Sequence, residues 1–138
     1  MMNYSNLIAS AIVLSSNIRH GYKMMTYLDD TKKLHSMADK RLSFPLKKGV
    51  VARSRNGFWL GSTEEYVKNY YGSGFEMEPN EMDKGEYEMF LTFEYNIKDV
   101  VEGDPNSKPT PHDKGVEFSV SRAKLIHAEN VTTSKKIF

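Results

Sequence analysis

Apolar and polar positions alternate most regularly over Glu86–Tyr95. Tyr87, Met89, Leu91, Phe93 and Tyr95 fall on one side, and Glu86, Glu88, Phe90, Thr92 and Glu94 on the other. A period of two predicts a strand with one buried face, and the acid-rich face is expected in solvent. Val116, Phe118 and Val120, alternating with Glu117, Ser119 and Ser121, predict a second strand. Ala123–Val131 either forms a further strand or continues that one beyond a bulge near Arg122. Nearer the start, Leu7, Ala11, Leu14 and Ile18 recur at intervals of four, three and four. That spacing predicts an amphipathic helix over residues 5–20 capped by Ser5, with Tyr22 and Met25 extending its stripe. A buried strand over Ile8–Leu14 is the competing reading. A second helix is expected over Thr31–Arg41, with Asp30 as N-cap and Leu34, Met37, Ala38 and Arg41 along one side. Phe44-Pro45 stops it, because proline confines its predecessor to extended conformations.

Between these regions, Leu46–Tyr71 reads as strand, turn, strand, helix. Val50-Val51-Ala52 lies in the first strand, Arg55-Asn56-Gly57 is the turn signal, and Phe58-Trp59-Leu60 is the second strand. Ser62 followed by Glu65 forms a capping box. Tyr66, Val67, Tyr70 and Tyr71 share a helix face, and Gly72 ends the helix. Loops follow at 73–85, rich in acidic residues, and at 105–115, with three prolines. The order predicts an α+β fold, with two N-terminal helices followed by a mostly antiparallel sheet carrying one inserted helix. A single domain is expected over 1–138, helical over 1–43, sheet-containing over 44–131, with a frayed tail at 132–138.

Length and composition narrow the chemistry. A chain of 138 residues can bury a core without covalent staples. It contains no cysteine, which excludes disulfides, thiol nucleophiles and Cys-ligated metal sites. Nineteen basic and 18 acidic residues leave a net charge of +1, so no overall basic field points to nucleic acid. The apolar run Leu7–Leu14, broken by Ser10, is too short for a membrane span, and Arg19 is the first basic residue, too late for a secretory signal. A soluble, cytoplasmic protein is expected. His112-Asp113 lacks a spaced third ligand, so no metal site is assigned.

Three segments resemble the ADP-ribosyltransferase family. Pro45-Leu46-Lys47-Lys48-Gly49-Val50 is similar to its first motif, and Gly57–Ser62 with the following helix to its second. Glu117, leading Phe118-Ser119-Val120, is similar to its glutamate strand. The resemblance spans about residues 44–131 and implies a split, ADP-ribosyltransferase-like sheet. In size and layout it is similar to small phage members, including the anti-CRISPR type. It implies NAD as substrate, a macromolecular protein target, and evasion of host defence in a host cell cytoplasm. Glu117 would be the catalytic carboxylate stabilising an oxocarbenium-like transition state, and Ser62 would orient Glu117 or the ribose. Lys48 and Gly49, with Arg53 or Arg55 as alternates, would hold the diphosphate, and Trp59 or Tyr71 would stack on nicotinamide. Lys48 stands where the family has Arg or His, only Ser62 remains of its Ser-x-Ser element, and Gly115 stands where a Glu or Gln would precede Glu117 by two residues.

Two other readings share these residues. One is a non-enzymatic inhibitor that blocks a host complex through an acidic and aromatic surface including Glu76, Glu78 and Glu81. The other is nucleic-acid binding through Lys47, Lys48, Arg53, Arg55 and Trp59, which has the residue types but no overall charge excess.

Overall fold

The structure, a computed structural model, describes residues 17–36, 41–71, 86–108 and 114–138. Its strands are β1 (Ile18–Leu28), β2 (Lys33–His35), β3 (Ser43–Pro45), β4 (Val51–Gly61), β5 (Glu86–Asn96), β6 (Val100–Glu102), β7 (Glu117–Asn130) and β8 (Lys135–Lys136). The helix α1 (Glu64–Tyr71) follows β4, and a 3₁₀ turn, Ile97–Asp99, joins β5 to β6. These strand pairings are all antiparallel. β1 pairs with β5 along its whole length, from Ile18↔Asn96 to Leu28↔Glu86. β5 pairs with β7, β7 with β4, and β4 returns to β1 at Tyr22↔Gly61. The four long strands therefore close on themselves as a small barrel, with β1 and β4 meeting at that one residue pair. The β2–β3 hairpin extends the remaining edge of β1 at Thr26–Leu28.

The expectation of two N-terminal helices ahead of the sheet is overturned. Residues 5–16 of the first lie outside the described part, but its end and its extended stripe, Ile18 to Met25, are strand β1. Both faces of β1 are covered, so its apolar residues need not keep a period of two: Tyr22 packs with Phe90 outside the barrel, Met25 lies inside it, and the full ladder with β5 sets the strand. The second helix is replaced over its described residues by a turn and β2. Asp29–Lys32 turns the chain, with Lys32 at φ 56 and its N–H donating to the Leu28 carbonyl. β1 and β2 are antiparallel neighbours joined directly by this turn, so no helix follows Asp30 for it to cap.

The barrel interior holds Met25, Leu34, Phe44, Phe58, Leu60, Met89, Leu91, Phe93 and Phe118, all buried. Phe93 meets Phe44 and Phe58 edge-on, each at 5.8 Å between ring centroids. A second cluster lies outside the barrel, where Tyr66 and Val67 of α1 cover Phe90. The face of β5 expected in solvent is consequently covered at several places. Phe90 is fully buried, and Glu88 is only 7 % exposed, its carboxylate accepting from Thr26 Oγ1 at 3.0 Å.

Three local expectations are also corrected. Arg55-Asn56-Gly57 does not reverse the chain. A two-residue type I′ hairpin needs positive φ at both central residues. Only Gly57 adopts it (φ +89), so β4 runs on through a bulge between Arg53 and Phe58. Thr63, not Ser62, caps α1, accepting from the Tyr66 N–H at 3.1 Å, while Ser62 is engaged by β7. Residues 132–138, expected to fray, include β8 paired to Glu129 and Asn130, with Phe138 packed on the core. In β7 the buried apolar positions run 118, 120, 123, 125 and 128, so one strand slips parity near Arg122 and again near Ile126.

α1 seats against the barrel because Gly61 has no side chain. A Cβ there would lie 2.3 Å from Val67 Cγ2 and 2.9 Å from Tyr66 Cδ1. Gly61→Ala is expected to displace α1 and cost about 1–3 kcal/mol. Urea titration, together with loss of protection of α1 amides in hydrogen exchange, checks this.

Candidate functional site

β4 and β7 lie side by side with their outward positions in register. Val51 is opposite Lys124, Arg53 opposite Arg122, Trp59 opposite Ser119, and Gly61 opposite Glu117. Like charges directly opposite on neighbouring strands repel, so the Arg53–Arg122 pair is a local cost within this sheet. Arg122 is relieved by Asp99 at 3.3 Å, and Lys124 sits 3.8 Å from Glu94. Arg53 and Lys98 have no carboxylate partner among the described residues.

These groups line one open groove of about 260 Å³ across β4, β7 and β5. Arg53, Lys98, Arg122 and Lys124 bring four positive charges to it, against Glu94 and Asp99. Ile18 and Val51 form apolar parts of its wall, and both side chains are exposed. Tyr95 also lines it, although it is only 3 % exposed and packs on Phe118 at 5.0 Å. Burial raises the Tyr95 phenol to about 12, against an opposing effect of the nearby Arg19 charge. The Tyr22 phenol, stacked on Phe90, is likewise raised by burial and then by Glu64.

The cationic face extends beyond the groove. Lys47 and Lys48 are exposed in the turn before β4, where the Gly49 N–H donates to the Leu125 carbonyl at 2.7 Å. Arg55 is exposed on the β4 bulge. Past the bulge, Trp59 is 39 % exposed between the buried Phe58 and Leu60. Lys23 Nζ donates to the Trp59 carbonyl at 3.0 Å, fixing the backbone where β1 and β4 part.

The sequence candidates therefore separate into groups. Ser62 and Glu117 are brought together, because the Val116 N–H donates to Ser62 Oγ at 2.9 Å and Glu117 pairs with Gly61. Trp59 is two residues from Gly61 along the same strand. Lys48 and Gly49 lie at the other end, beside Leu125, eight residues of β7 from Glu117 or roughly 26 Å along an extended strand. Arg53 lies between. Tyr71 ends α1, and its side chain is outside the described part. Glu76, Glu78, Glu81, His112 and Asp113 are also outside it. Sequence reading missed Lys98, Arg122 and Lys124. Alternation in β7 could have placed Lys124 outward, but only the strand register sets Arg122 against Arg53. No helix among the described residues is long and apolar enough to cross a membrane. Compared with known proteins, the chain matches no family model, no curated protein and no solved structure.

Proposed function

We propose that this chain is a binding module whose ligand is an anion bearing phosphate or a group of similar charge, held on the β4–β7–β5 face. The observation that carries the reading is Arg53 standing directly opposite Arg122 in a groove that also presents Lys98 and Lys124. Two cations on facing residues repel when the groove is empty, and an anion bound between them attracts both and outweighs that repulsion. Guanidinium is suited to the task, because its planar fork meets two phosphate oxygens at once. Asp99 and Glu94 hold Arg122 and Lys124 in place, leaving Arg53 and Lys98 to meet the ligand.

A transferase reading requires the diphosphate-binding cation and the glutamate at one NAD molecule. A diphosphate and the nicotinamide ribose are joined directly, whereas Lys48 precedes Gly49, which is bonded to Leu125 eight residues along β7 from Glu117, and Arg53 stands opposite Arg122, five residues along it. The groove, by contrast, needs no residue beyond those already gathered on one face.

Calorimetric titration with tripolyphosphate at low salt tests the proposal. Wild-type protein is expected to bind, and Arg53→Gln to bind about tenfold more weakly, as loss of a charge-assisted hydrogen bond implies. Arg53→Gln should fold at least as stably as wild type, since it removes a like-charge pair. Absence of binding by wild type, or equal affinity in Arg53→Gln, would contradict it.

A further inference from the structure

We infer that the anion is a short stretch of single-stranded nucleic acid and that Trp59 is the platform on which one of its bases stacks; this rests on the anion-binding reading above. Single strands are held by a cationic track for the backbone together with an aromatic surface for the unpaired bases. Both parts are present on one outward face. Trp59, Arg53 and Val51 face Ser119, Arg122 and Lys124, at intervals of three and two residues along β7, or roughly 10 and 7 Å. Those intervals suit successive nucleotides of an extended strand. Arg55 stands on the bulge between Trp59 and Arg53, and the Lys47–Lys48 turn prolongs the track past Lys124.

Trp59 has the properties of a platform. It is the sole tryptophan, and its indole is part-exposed although the residues on either side are buried. Its backbone is fixed on both edges, by pairing with Ser119 and by Lys23 on its carbonyl. Val101, 51 % exposed, lies over Gly57 and Ser119, where a Cβ on Gly57 would approach its Cγ2 to 2.5 Å. Trp59 and Val101 thus give the end of the track an apolar surface that a bare phosphate chain cannot use. A duplex buries its base faces and offers Trp59 nothing to stack on.

The charge of the whole chain, +1, limits the contact to the few cations on this face. With three or four phosphates neutralised, log affinity is expected to fall against log salt with a slope of roughly −2 to −3.

The experiment is fluorescence anisotropy of a labelled twelve-residue oligothymidylate with full-length protein, beside the matching duplex, tripolyphosphate and polyglutamate as competitors. The oligonucleotide is expected to bind and to quench Trp59. Trp59→Ala should weaken oligonucleotide binding about tenfold, Trp59→Phe should recover most of the loss, and both should leave tripolyphosphate affinity unchanged. Equal oligonucleotide affinity in wild type and Trp59→Ala, or equal binding of duplex, overturns the single-strand inference while leaving the anion site standing. Displacement by polyglutamate at matched charge overturns it in favour of an acidic protein partner. Failure of both tripolyphosphate and oligonucleotide to bind overturns both readings.

Discussion

Phe93→Ala is expected to destabilise the protein by about 3–5 kcal/mol, the range for truncating a buried phenylalanine. Phe93 has no exposed surface and sits where three elements converge. It lies on β5, meets Phe58 of β4 at 5.8 Å, and meets Phe44 of the β2–β3 hairpin at the same distance. Edge-on ring pairs add to the area buried, and both pairs are lost together. The barrel wall cannot collapse into the void without breaking the β5–β7 and β1–β5 ladders that hold it, so relaxation recovers little. The midpoint of thermal unfolding should fall by roughly 10–20 °C. Urea titration of Phe93→Ala beside Val101→Ala checks the claim, because Val101 is a surface residue whose truncation should change stability by no more than about 0.5 kcal/mol. A comparable loss in the two variants would show that the aromatic cluster does not anchor the barrel.

Stability is expected to fall steeply between pH 10 and pH 12, and Tyr95→Phe should flatten that fall. The Tyr95 phenol moves from its ordinary value of 10.0 to about 12 because burial disfavours the phenolate. The folded state thus holds the proton more tightly than the unfolded state. Its contribution is complete below pH 10, declines as the unfolded chain ionises, and is gone once pH passes about 12. A shift of this size corresponds to roughly 2–3 kcal/mol across the window. Tyr22, raised in the same direction, acts similarly in both proteins, so the difference between wild type and Tyr95→Phe isolates Tyr95. The urea midpoint of wild type, measured at pH 8, 10, 11 and 12, should drop progressively relative to that of Tyr95→Phe as pH rises. Parallel curves would remove Tyr95 as the cause.

The two N-terminal stretches show why local pattern misled. Ile18, Tyr22 and Met25 satisfy a helical spacing, yet Gly21 and Met25 face the barrel interior as strand positions. Local spacing is weak evidence when a long-range ladder competes, and nothing near Ile18 announces that Asn96 will pair with it. The same holds for Arg55-Asn56-Gly57, whose turn chemistry was legible but whose outcome, bulge or hairpin, depended on the continuous pairing of β4 with β7. The acidic side of β5 was legible as polar, but its partial burial depended on where α1 came to rest.

Residue periodicity and residue type were enough for the long strand β5, for strand character on either side of Arg122, for the helix after β4 and for the absence of thiol chemistry, but not for the union of the two halves of β7. The sequence also marked Arg53, Arg55, Lys47, Lys48 and Trp59 as a basic and aromatic group. The tertiary structure alone decided that β1 is a strand, that four strands close into a barrel, and that Lys98, Arg122 and Lys124 join Arg53 in one groove. A net charge of +1 conceals such a face, since a sum over the chain carries no positions. Register does: one hydrogen-bonded ladder between β4 and β7 sets Arg53 against Arg122, sixty-nine residues apart in sequence and neighbours in the sheet.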